Sequence, residues 1–305
     1  LHSYSVDGSG NLTHIPGSNQ PGQYVDGDYS HDVWSDGNFV YLAVGASPPA
    51  TVGNFAGLHS FSVDSSGDLT HIDFHDQGFN GQDVWSDGNF IYMAGWDSGL
   101  HTYSVTDVGN LCHIDTDNQY GGNAGTSLAR DVWGDGNFIY LAAWSGGLHT
   151  YSVDDFGNLT HIDNHDPGGK AVDVWGDGNF IYLGGYDGGL HTYSVDGSGN
   201  LTFIDSDLQG DFSHDVWGDG NFIYNAESGG GLHSYSVDGS GNLTHIDNDI
   251  PCSNPTIGCH AHGVFADQNF VYLANYTDGI HTYSVDGSGN LTHVDSDLQM
   301  YGGSS

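Results

Sequence analysis

Short apolar runs alternate with clusters of Gly, Asp and Asn along the whole chain. A typical run is Phe138-Ile139-Tyr140-Leu141-Ala142, which is apolar on both faces and therefore predicts a strand buried on both sides. The segment Asp135-Gly136-Asn137 before it has the composition of a tight hairpin turn. No segment shows helical periodicity over two turns. The pattern predicts an all-β protein made of many short strands.

These strands belong to a unit that repeats along the chain. One apolar phrase, Leu-His-Thr-Tyr-Ser-Val in its commonest form, begins at Leu1, Leu58, Leu100, Leu148, Leu190, Leu232 and Ile280. A second phrase, Asp-Val-Trp-Gly-Asp-Gly-Asn-Phe-Ile-Tyr-Leu-Ala in its clearest form, begins at Asp32, Asp83, Asp131, Asp173, Asp215 and, in degenerate form, at Gly263. Together they predict four strands per repeat: A (Asp-Val-Trp), B (Phe-Ile-Tyr-Leu-Ala), C (Leu-His-Thr-Tyr-Ser-Val) and D (Leu-Thr-His-Ile). Four antiparallel strands in about forty residues are typical of a β-propeller blade.

The repeats predict one β-propeller domain over residues 1–305. Six four-stranded blades occupy residues 32–294, and an extra C–D hairpin occupies residues 1–15. A propeller of seven blades, one of them incomplete, is the alternative. Strand A is expected to line the central channel and strand D the outer rim.

The N-terminal hairpin is left over because the C–D phrases outnumber the A–B phrases by one. Residues 1–15 and 280–294 have nearly the same sequence, so either copy could pair with the A–B unit of residues 263–274. Three interpretations remain open. The chain is cut from a longer array that forms an incomplete seventh blade, the hairpin docks on another copy to give a head-to-tail polymer, or it is a trimmed or flexible tail.

The charge balance restricts the partners. Asp and Glu number 39, against two basic residues, Arg130 and Lys170, which gives a net charge of -37. Such a field repels polyanions, and nucleic-acid binding depends on Lys and Arg. Nucleic acid and anionic membrane surfaces are therefore excluded as partners, and no stretch is apolar enough for membrane insertion. Salt, low pH or divalent cations would relieve the self-repulsion, so we expect a saline, calcium-containing or acidic setting outside the cell.

The three cysteines bear on the same question. Cys252 and Cys259 lie in an inserted loop and predict a disulfide of an oxidising compartment, the alternative being two free thiols. Cys112 stands where sister repeats carry Thr, and we expect it to be a buried strand residue. The chain does not begin with Met, and we expect it to be a mature or excised portion.

Two resemblances follow from the repeat. Gly-Asn-Phe-Ile-Tyr-Leu-Ala followed by Gly-Gly-Leu-His-Thr-Tyr-Ser-Val resembles the LVIVD-repeat β-propellers of secreted bacterial and archaeal proteins. The hairpin from Leu190 to Thr202 is also similar to the blade hairpins of lactonase-type seven-bladed propellers. Both resemblances extend over the chain through its repeats, and both imply a fold rather than a function.

Histidines occupy two repeat positions. Those of strand C are His59, His101, His149, His191, His233 and His281, and those of strand D are His71, His113, His161, His245 and His293. Folding the hairpin about its turn places His101 opposite Asp115 and Tyr103 opposite His113. A metal site would need several such side chains to converge. A feature found in every blade favours a scaffold role instead, as a His–Asp and Tyr–His ladder between neighbouring blades.

The inner strand offers a candidate metal site and a candidate ligand site. The strand A acids Asp32, Asp83, Asp131, Asp173 and Asp215 could form a ring of carboxylates for Ca²⁺, or each could accept backbone N–H groups. The preceding residue varies between blades, and this variation predicts a channel ligand held by His31, Gln82, Arg130, His214 and His262.

The turns between strands C and D carry two further candidates. Asp196-Gly197-Ser198-Gly199-Asn200 and its copies are hairpin turns first, with weak Ca²⁺ binding as an alternative; they lack the carboxylate run of an EF-hand. Glycosylation sequons occur at Asn11, Asn158, Asn200, Asn242, Asn290 and Asn275. Asn-Leu-Thr also suits a turn followed by a strand, so both interpretations stay open.

Catalytic motifs are absent from the sequence: it has no Ser-His-Asp spacing, no Gly-x-Ser-x-Gly elbow and no phosphate loop. The favoured hypothesis is a secreted, acidic, non-enzymatic structural or adhesive propeller, whose partners are copies of itself, another extracellular protein or a carbohydrate. One alternative is a calcium- or carbohydrate-binding propeller. Another is a metal-dependent hydrolase or lactonase that uses His31, His214, His262, Asp32 and Asp215. No cofactor is required by this sequence, and Ca²⁺ is the ion to expect.

Overall fold

The computed structural model describes residues 4–6, 12–14, 28–46, 56–65, 67–75, 80–118, 128–186, 189–208, 212–251, 260–276 and 279–297. Every regular element in these ranges is a β-strand, so the prediction of an all-β protein is confirmed. The strands form six antiparallel sheets of four strands and one sheet of two, which confirms a β-propeller of six four-stranded blades. A helix that could cross a bilayer is not found in these ranges.

The first strands and blades 1 to 3 have the following bounds. The two-stranded sheet contains β1 (Tyr4–Val6) and β2 (Leu12–His14). Blade 1 contains β3 (Asp28–Ser35), β4 (Phe39–Ala46), β5 (Gly57–Val63) and β6 (Leu69–His75). Blade 2 contains β7 (Asp83–Ser86), β8 (Ile91–Ala94), β9 (Leu100–Val105) and β10 (Leu111–Asp117). Blade 3 contains β11 (Asp131–Gly134), β12 (Ile139–Ala142), β13 (Leu148–Val153) and β14 (Leu159–His165).

The remaining blades repeat the order A to D. Blade 4 contains β15 (Ala171–Gly176), β16 (Ile181–Gly185), β17 (Gly189–Val195) and β18 (Leu201–Asp207). Blade 5 contains β19 (Phe212–Gly218), β20 (Ile223–Ser228), β21 (Gly231–Val237) and β22 (Leu243–Asp249). Blade 6 contains β23 (Ala261–Ala266), β24 (Val271–Asn275), β25 (Gly279–Val285) and β26 (Leu291–Asp297). The chain divides into two compact units, one with blades 1 to 3 and one with blades 4 to 6 and the β1–β2 hairpin.

Strands B and C form the buried centre of each blade. In blade 3 every residue of β12 is buried, and so is the first part of β13, whereas β14 is half-buried or exposed. Neighbouring blades pack together through these strands, as Tyr92 and Leu100 of blade 2 do with Ile139 and Leu141 of blade 3. Full burial of one large apolar side chain contributes about 1.5–3 kcal/mol. Apolar contact between strands B and C of successive blades therefore drives their stacking.

The Asp of the A–B turn joins the turn to strand B. In blade 3, Asp135 Oδ1 accepts hydrogen bonds from the backbone N–H groups of Asn137 and Phe138, and Oδ2 accepts one from the Tyr140 hydroxyl, each at 2.8 Å. The same arrangement occurs at Asp36, Asp87, Asp177, Asp219 and Asp267. Burial and the carboxylate of Asp135 raise the pKa of Tyr140 above its ordinary value. The repeated Asp-Gly-Asn is thus explained by the turn itself.

A β-bulge interrupts the pairing of strand C with strand D. In blade 2, Tyr103 faces His113, as predicted, but His101 does not face Asp115, so that prediction is wrong. One extra residue in strand D shifts the register beyond His113. Asp115 instead accepts a hydrogen bond from the backbone N–H of Leu159 in blade 3 at 2.9 Å. The bulge therefore turns a strand D acid into a link between blades.

The β1–β2 hairpin has the register of a C–D hairpin. Tyr4 faces His14, just as Tyr283 faces His293 in blade 6. Strand β2 lies beside β26 of that blade. Among the described residues, neither β1 nor β2 pairs with a third strand. The role expected for this hairpin stays a prediction.

Candidate functional site

The strand A acids tie successive blades together. In four of them, one carboxylate oxygen accepts a hydrogen bond from a backbone N–H in strand A of the next blade. Val84 donates to Asp32 (3.3 Å), Val132 to Asp83 (2.9 Å), Val216 to Asp173 (2.8 Å) and Val264 to Asp215 (2.6 Å). Within the ranges that the structure describes, no group of three or more His, Cys, Asp or Glu side chains is arranged to hold a metal ion. Coordination of Ca²⁺ by the strand A acids stays a prediction.

Two of these acids are joined directly. The carboxyl groups of Asp32 and Asp83 share a hydrogen bond. Burial, followed by the negative charges of Asp131 and Asp32, raises the pKa of Asp83 well above its ordinary value. Burial also raises the pKa of Asp32. Because two close carboxylates cannot both ionise easily, this contact favours the protonated form of Asp83.

Replacing Asp83 with Asn is expected to stabilise the protein at pH 7 by about 1 kcal/mol. The amide oxygen still accepts the Val132 N–H and the amide nitrogen donates to Asp32, so folding at pH 7 no longer requires the proton uptake that a neutral Asp83 needs. At Asp215 the same replacement weakens a charge-assisted hydrogen bond, so we expect a loss of about 1 kcal/mol. Thermal unfolding of both variants at pH 7 measures the two shifts. Shifts of the same sign and size would contradict this account.

Histidines of strands C and D pair within five of the six blades. Nδ1 of the strand C residue approaches Nε2 of the strand D residue in His59–His71 (3.1 Å), His101–His113 (3.4 Å), His149–His161 (3.0 Å), His233–His245 (3.0 Å) and His281–His293 (3.2 Å). In blade 4, Phe203 replaces the strand D histidine. The Tyr151 ring meets the His161 ring edge-on at 5.1 Å. The predicted Tyr–His contact thus forms inside one blade, and strand C histidines pair with His rather than Asp.

The neighbours of His149 define the tautomer of its pair. His149 Nε2 lies 3.1 Å from the carbonyl oxygen of Gly146. Because a carbonyl only accepts, Nε2 carries the hydrogen, and Nδ1 accepts one from His161. Burial and the neighbouring His161 lower the pKa of His149 to about 4. Burial and nearby histidines lower the pKa of His101 to about 3. Neutral, buried and repeated imidazoles are consistent with a scaffold role.

The residues that differ between blades collect at one end of each blade, where strand A begins and strand B ends. The residue before the strand A acid, or before Gly263 in blade 6, is His31, Gln82, Arg130, Val172, His214 or His262 in blades 1 to 6. The second residue after the strand B phrase is Gly45, Trp96, Trp144, Tyr186, Ser228 or Tyr276. We call this the variable end of the blade. The sequence predicted the first set, but the aromatic residues of the second set were missed, although they vary at a fixed repeat position in the same way.

In the first unit, the variable end holds Arg130 between two indole rings. The guanidinium carbon lies 5.0 Å from the centroid of Trp96 and 5.1 Å from that of Trp144. Both tryptophans have left-handed backbones, with φ of 52° and 45°. Bulky residues rarely adopt this conformation, and such strain clusters at functional sites. The backbone of Trp96 is fixed by a β-bridge to Ala129 next to the arginine.

His31 and Gln82 belong to the same variable end. A Cβ atom on Gly45 would lie 2.7 Å from His31 Nε2 and 3.5 Å from Gln82 Nε2, so both side chains cross the face of this glycine. Burial and then the positive charge of Arg130 lower the pKa of His31. The predicted residues His31, Gln82 and Arg130 are therefore brought together in the first unit.

In the second unit, the variable end is rich in imidazole. His214 and His262 stack with ring centroids 4.3 Å apart, and Tyr276 lies 5.9 Å from His262. The Ser228 hydroxyl and His260 Nδ1 are 2.8 Å apart. Burial, then the charge of His260, lowers the pKa of His262. His214 and His262 are thus adjacent, with Tyr276 as an exposed neighbour, and their role in binding a ligand stays a prediction.

The second basic residue also packs on aromatic rings. Lys170 Nζ lies 4.7 Å from the centroid of Tyr186. Tyr186 stacks on Phe212 with centroids 4.0 Å apart. Both cationic side chains of the protein therefore lie at a variable end and contact an aromatic ring there.

Blade 5 contains a buried polar chain. Ser213 Oγ donates to Asn225 Oδ1 at 2.6 Å, and Asn225 Nδ2 donates to Glu227 Oε1 at 2.8 Å. The other oxygen of Glu227 lies 3.3 Å from His233 Nε2. Glu227 is the single glutamate of the sequence and is fully buried. The sequence analysis did not single out this residue, although its uniqueness among so many aspartates is a signal.

The opposite end of the blades is occupied by repeated turns. A cavity of about 430 Å³ lies there in the first unit, lined by Asp87, Asn89, Phe90, Tyr92, Gly136, Asn137, Phe138, Ile139, Val153, Asp154 and Asp155. Its walls are largely the A–B turns of blades 2 and 3, whose Asp side chains are engaged in the turns. We therefore assign this cavity to the scaffold.

The remaining predicted sites have different environments. Asn158, Asn200, Asn242 and Asn290 are exposed on C–D turns. Asn275 is only 4% exposed, so its amide is closed to glycosylation in the folded protein, and it is not among the sites that we propose. Asn11, Cys252 and Cys259 lie outside the described residues. Cys112 is exposed on β10, so the prediction that it is buried is wrong, because strand D is the least buried strand of the blade.

Comparison with protein families supports the repeat assignment. Residues 80–114, 127–150 and 168–205 match the LVIVD repeat, so the chain carries LVIVD repeats, as the sequence predicted. A search of curated proteins found no match to the chain.

Comparison with solved structures supports the fold. A protein from Bacteroides fragilis assigned as a 6-phosphogluconolactonase matches with a TM-score of 0.77 and 17% identity, over 96% of this chain and 89% of that one. A periplasmic gluconolactonase from Pseudomonas aeruginosa matches with a TM-score of 0.75 and 17% identity, over 97% and 91%. An inactive variant of virginiamycin B lyase from Staphylococcus aureus matches with a TM-score of 0.64 and 11% identity, over 90% and 86%. At these identities the likeness shows the fold alone.

Proposed function

We propose that this β-propeller, a chain that carries LVIVD repeats, is an extracellular adhesive module that binds carbohydrate at the variable ends of its blades. The observation that carries the proposal is the separation of repeated from non-repeated residues. Repeated Asp, Tyr and His side chains are engaged within and between blades. The non-repeated aromatic, imidazole and cationic side chains collect at one blade end, where specificity is free to vary.

The chemistry of the variable end suits sugars. Aromatic faces pack against the C–H groups of a pyranose ring, while amide, imidazole and carboxyl groups bond to its hydroxyls. Tyr276 is 82% exposed and stands beside His262. Its exposed ring therefore offers a flat apolar face to a sugar, next to an imidazole that can bond to hydroxyls.

Other features support an extracellular location and a structural role. The net charge of -37 favours a medium with salt or divalent cations, and a structural neighbour is described as periplasmic. Glycosylation of the exposed Asn158, Asn200, Asn242 and Asn290 belongs to the same proposal. Head-to-tail assembly through the β1–β2 hairpin also belongs to it, since a hairpin edge can pair with another chain.

Tyr276→Ala is expected to reduce retention of the purified protein on an immobilised neutral polysaccharide by at least about tenfold. The matched control is Phe156→Ala, because Phe156 is 77% exposed but lies on a C–D turn at the opposite blade end. We expect this control to bind like the unmodified protein. Cellulose, mannan and galactan serve as the matrices. Equal retention of both variants, or no retention of the unmodified protein on any matrix, would contradict the proposal.

A lactone-hydrolysing enzyme is the second candidate, favoured by the likeness to gluconolactonases. Release of acid from gluconolactone, measured on the same preparation, separates the two. Turnover above the blank that is lost in His262→Ala would replace the adhesive proposal with the enzymatic one. Electron microscopy of the same preparation tests assembly, because discrete single particles at high concentration would contradict a polymer.

A further inference from the structure

We propose that Arg130, held between Trp96 and Trp144, is a binding site for the carboxylate of a sugar acid, with a uronic acid as the ligand. This inference rests on the proposed carbohydrate-binding function and names the ligand class of the variable end in the first unit.

The guanidinium of Arg130 has no carboxylate bonded to it among the described residues. It is one of two basic residues in a chain with 39 acidic ones. Among the described residues, no hydrogen bond or ion pair joins its guanidinium to another side chain, and its close contacts are the two indole rings. The adjacent Asp131 acts on it only through space. An arginine without a bonded carboxylate in so acidic a protein leaves its N–H groups for a ligand.

The second argument is the direction from which a ligand can bind. Two indole rings pack near the guanidinium, with centroids 5.0 and 5.1 Å from its central carbon. A carboxylate meets the edge of a guanidinium, where the N–H groups form a planar fork. That fork matches a planar carboxylate with two parallel hydrogen bonds. Phosphate shares this hydrogen-bonding chemistry, but it carries more negative charge into the field of a protein at -37, so the carboxylate is favoured.

The third argument is what surrounds the fork. His31 lies close enough for the charge of Arg130 to act on it, and Gln82 shares with it the face of Gly45. An amide and an imidazole bond readily to hydroxyl groups. The indole edges beyond the guanidinium offer apolar surface to a pyranose ring. A ligand with one carboxylate, several hydroxyls and a ring face can bind the guanidinium fork, the two polar side chains and the indole surface at once.

The backbone indicates that the packing of Trp96 and Trp144 on Arg130 is a specific feature of the fold. We call these three residues the clamp. Trp96 and Trp144 occupy the same repeat position, and both adopt a left-handed φ. A left-handed φ is strained for a residue with a bulky side chain. Gly would relieve that strain, but it would remove the ring.

The experiment is a titration of the full chain with D-glucuronate, followed by tryptophan fluorescence and by calorimetry. Methyl β-D-glucopyranoside is the uncharged probe, and inorganic phosphate is the competing anion. We expect D-glucuronate to bind at least tenfold more tightly than either. Arg130→Met is expected to lose at least tenfold in affinity, and Arg130→Lys, which keeps the charge but lacks the fork, an intermediate amount. Phe156→Ala, which changes an exposed side chain at the opposite blade end, is expected to bind like the unmodified protein.

Several results would overturn the assignment. Equal binding of glucuronate by Arg130→Met, equal binding of the uncharged glucoside, or tighter binding of phosphate would each do so. A purely structural clamp would lower the thermal stability of Arg130→Lys without changing its glucuronate affinity. Absence of glucuronate binding, with polysaccharide retention still dependent on Tyr276, would overturn this inference and leave the proposed function standing. If Arg130→Met does not fold, Arg130→Lys decides.

Discussion

Lowering the pH from 7 to 5 is expected to reduce the free energy of unfolding by about 4 kcal/mol. The change comes from His101 and His149, whose pKa values in the folded protein are lowered to about 3 and about 4. In the unfolded chain both return to about 6.5. Below that pH the two histidines bind protons in the unfolded chain but stay neutral in the folded protein. The two neutral histidines therefore contribute their full stabilisation of the folded protein above pH 6.5. This contribution is lost as the pH falls toward 4.

Other groups change this result only in part. The pKa of Asp83 is raised, so its protonation favours the folded protein as the pH falls. Hydrogen bonds from Asn side chains and backbone N–H groups lower the pKa of the exposed Asp154, Asp238 and Asp286, so these carboxyl groups stay ionised over the range considered. Burial lowers the pKa of His233 to about 4, but the Glu227 carboxyl at 3.3 Å would favour its protonated form. We therefore rest the prediction on His101 and His149 alone.

Urea unfolding at pH 7, 6 and 5 measures the effect. His149→Gln removes one of the two contributing groups, so we expect it to lose about half of the pH dependence. A free energy of unfolding that is constant or rises between pH 7 and 5 would rule out this explanation. Of the saline, calcium-containing and acidic settings that the charge suggests, the acidic one is the least compatible with these histidines.

Replacing Gly189 with Ala is expected to cost more than about 3 kcal/mol. Gly189 has a φ of +69°, and a Cβ atom there would collide with the backbone carbonyl oxygen of Asp207. Leu190 pairs with Asp207 at the start of the C–D ladder, so the backbone cannot move away without breaking that ladder. Thermal unfolding of the variant measures the loss.

Gly178 provides the matched control. Its φ is +85°, but nothing lies within 4 Å of the position that a Cβ atom would take. Gly178→Ala therefore carries only the backbone strain, for which we expect about 1 kcal/mol. If both variants lost the same stability, the contact with Asp207 would have no role.

The repeat made most of the fold predictable. Strands at Phe138–Ala142 and at the phrase beginning with Leu148 follow from apolar runs between Asp-Gly turns, and the structure confirms both. The bulge in strand D was not predictable, because the alternation of inward-facing and outward-facing residues continues on either side of one extra residue. That bulge is why His101 does not face Asp115.

The site was predicted less completely than the fold. Variation at one repeat position pointed to His31, Gln82 and Arg130, which the structure brings together. Trp96 and Trp144 were missed because their role depends on packing against Arg130 between blades 2 and 3, which variation at one repeat position does not reveal by itself. In the sequence they resemble ordinary aromatic residues in turns.

The hydrogen bond from Val264 to Asp215 shows how this architecture could grow in evolution. In blades 1, 2, 4 and 5, strand A offers a carboxylate to the blade that follows, and strand A of the following blade donates a backbone N–H to it. A duplicated gene segment would therefore encode a blade that already fits both neighbours. Ancestral propellers of this type could gain blades by duplication of gene segments alone, while the residues that bind ligands diverged afterwards at a few positions.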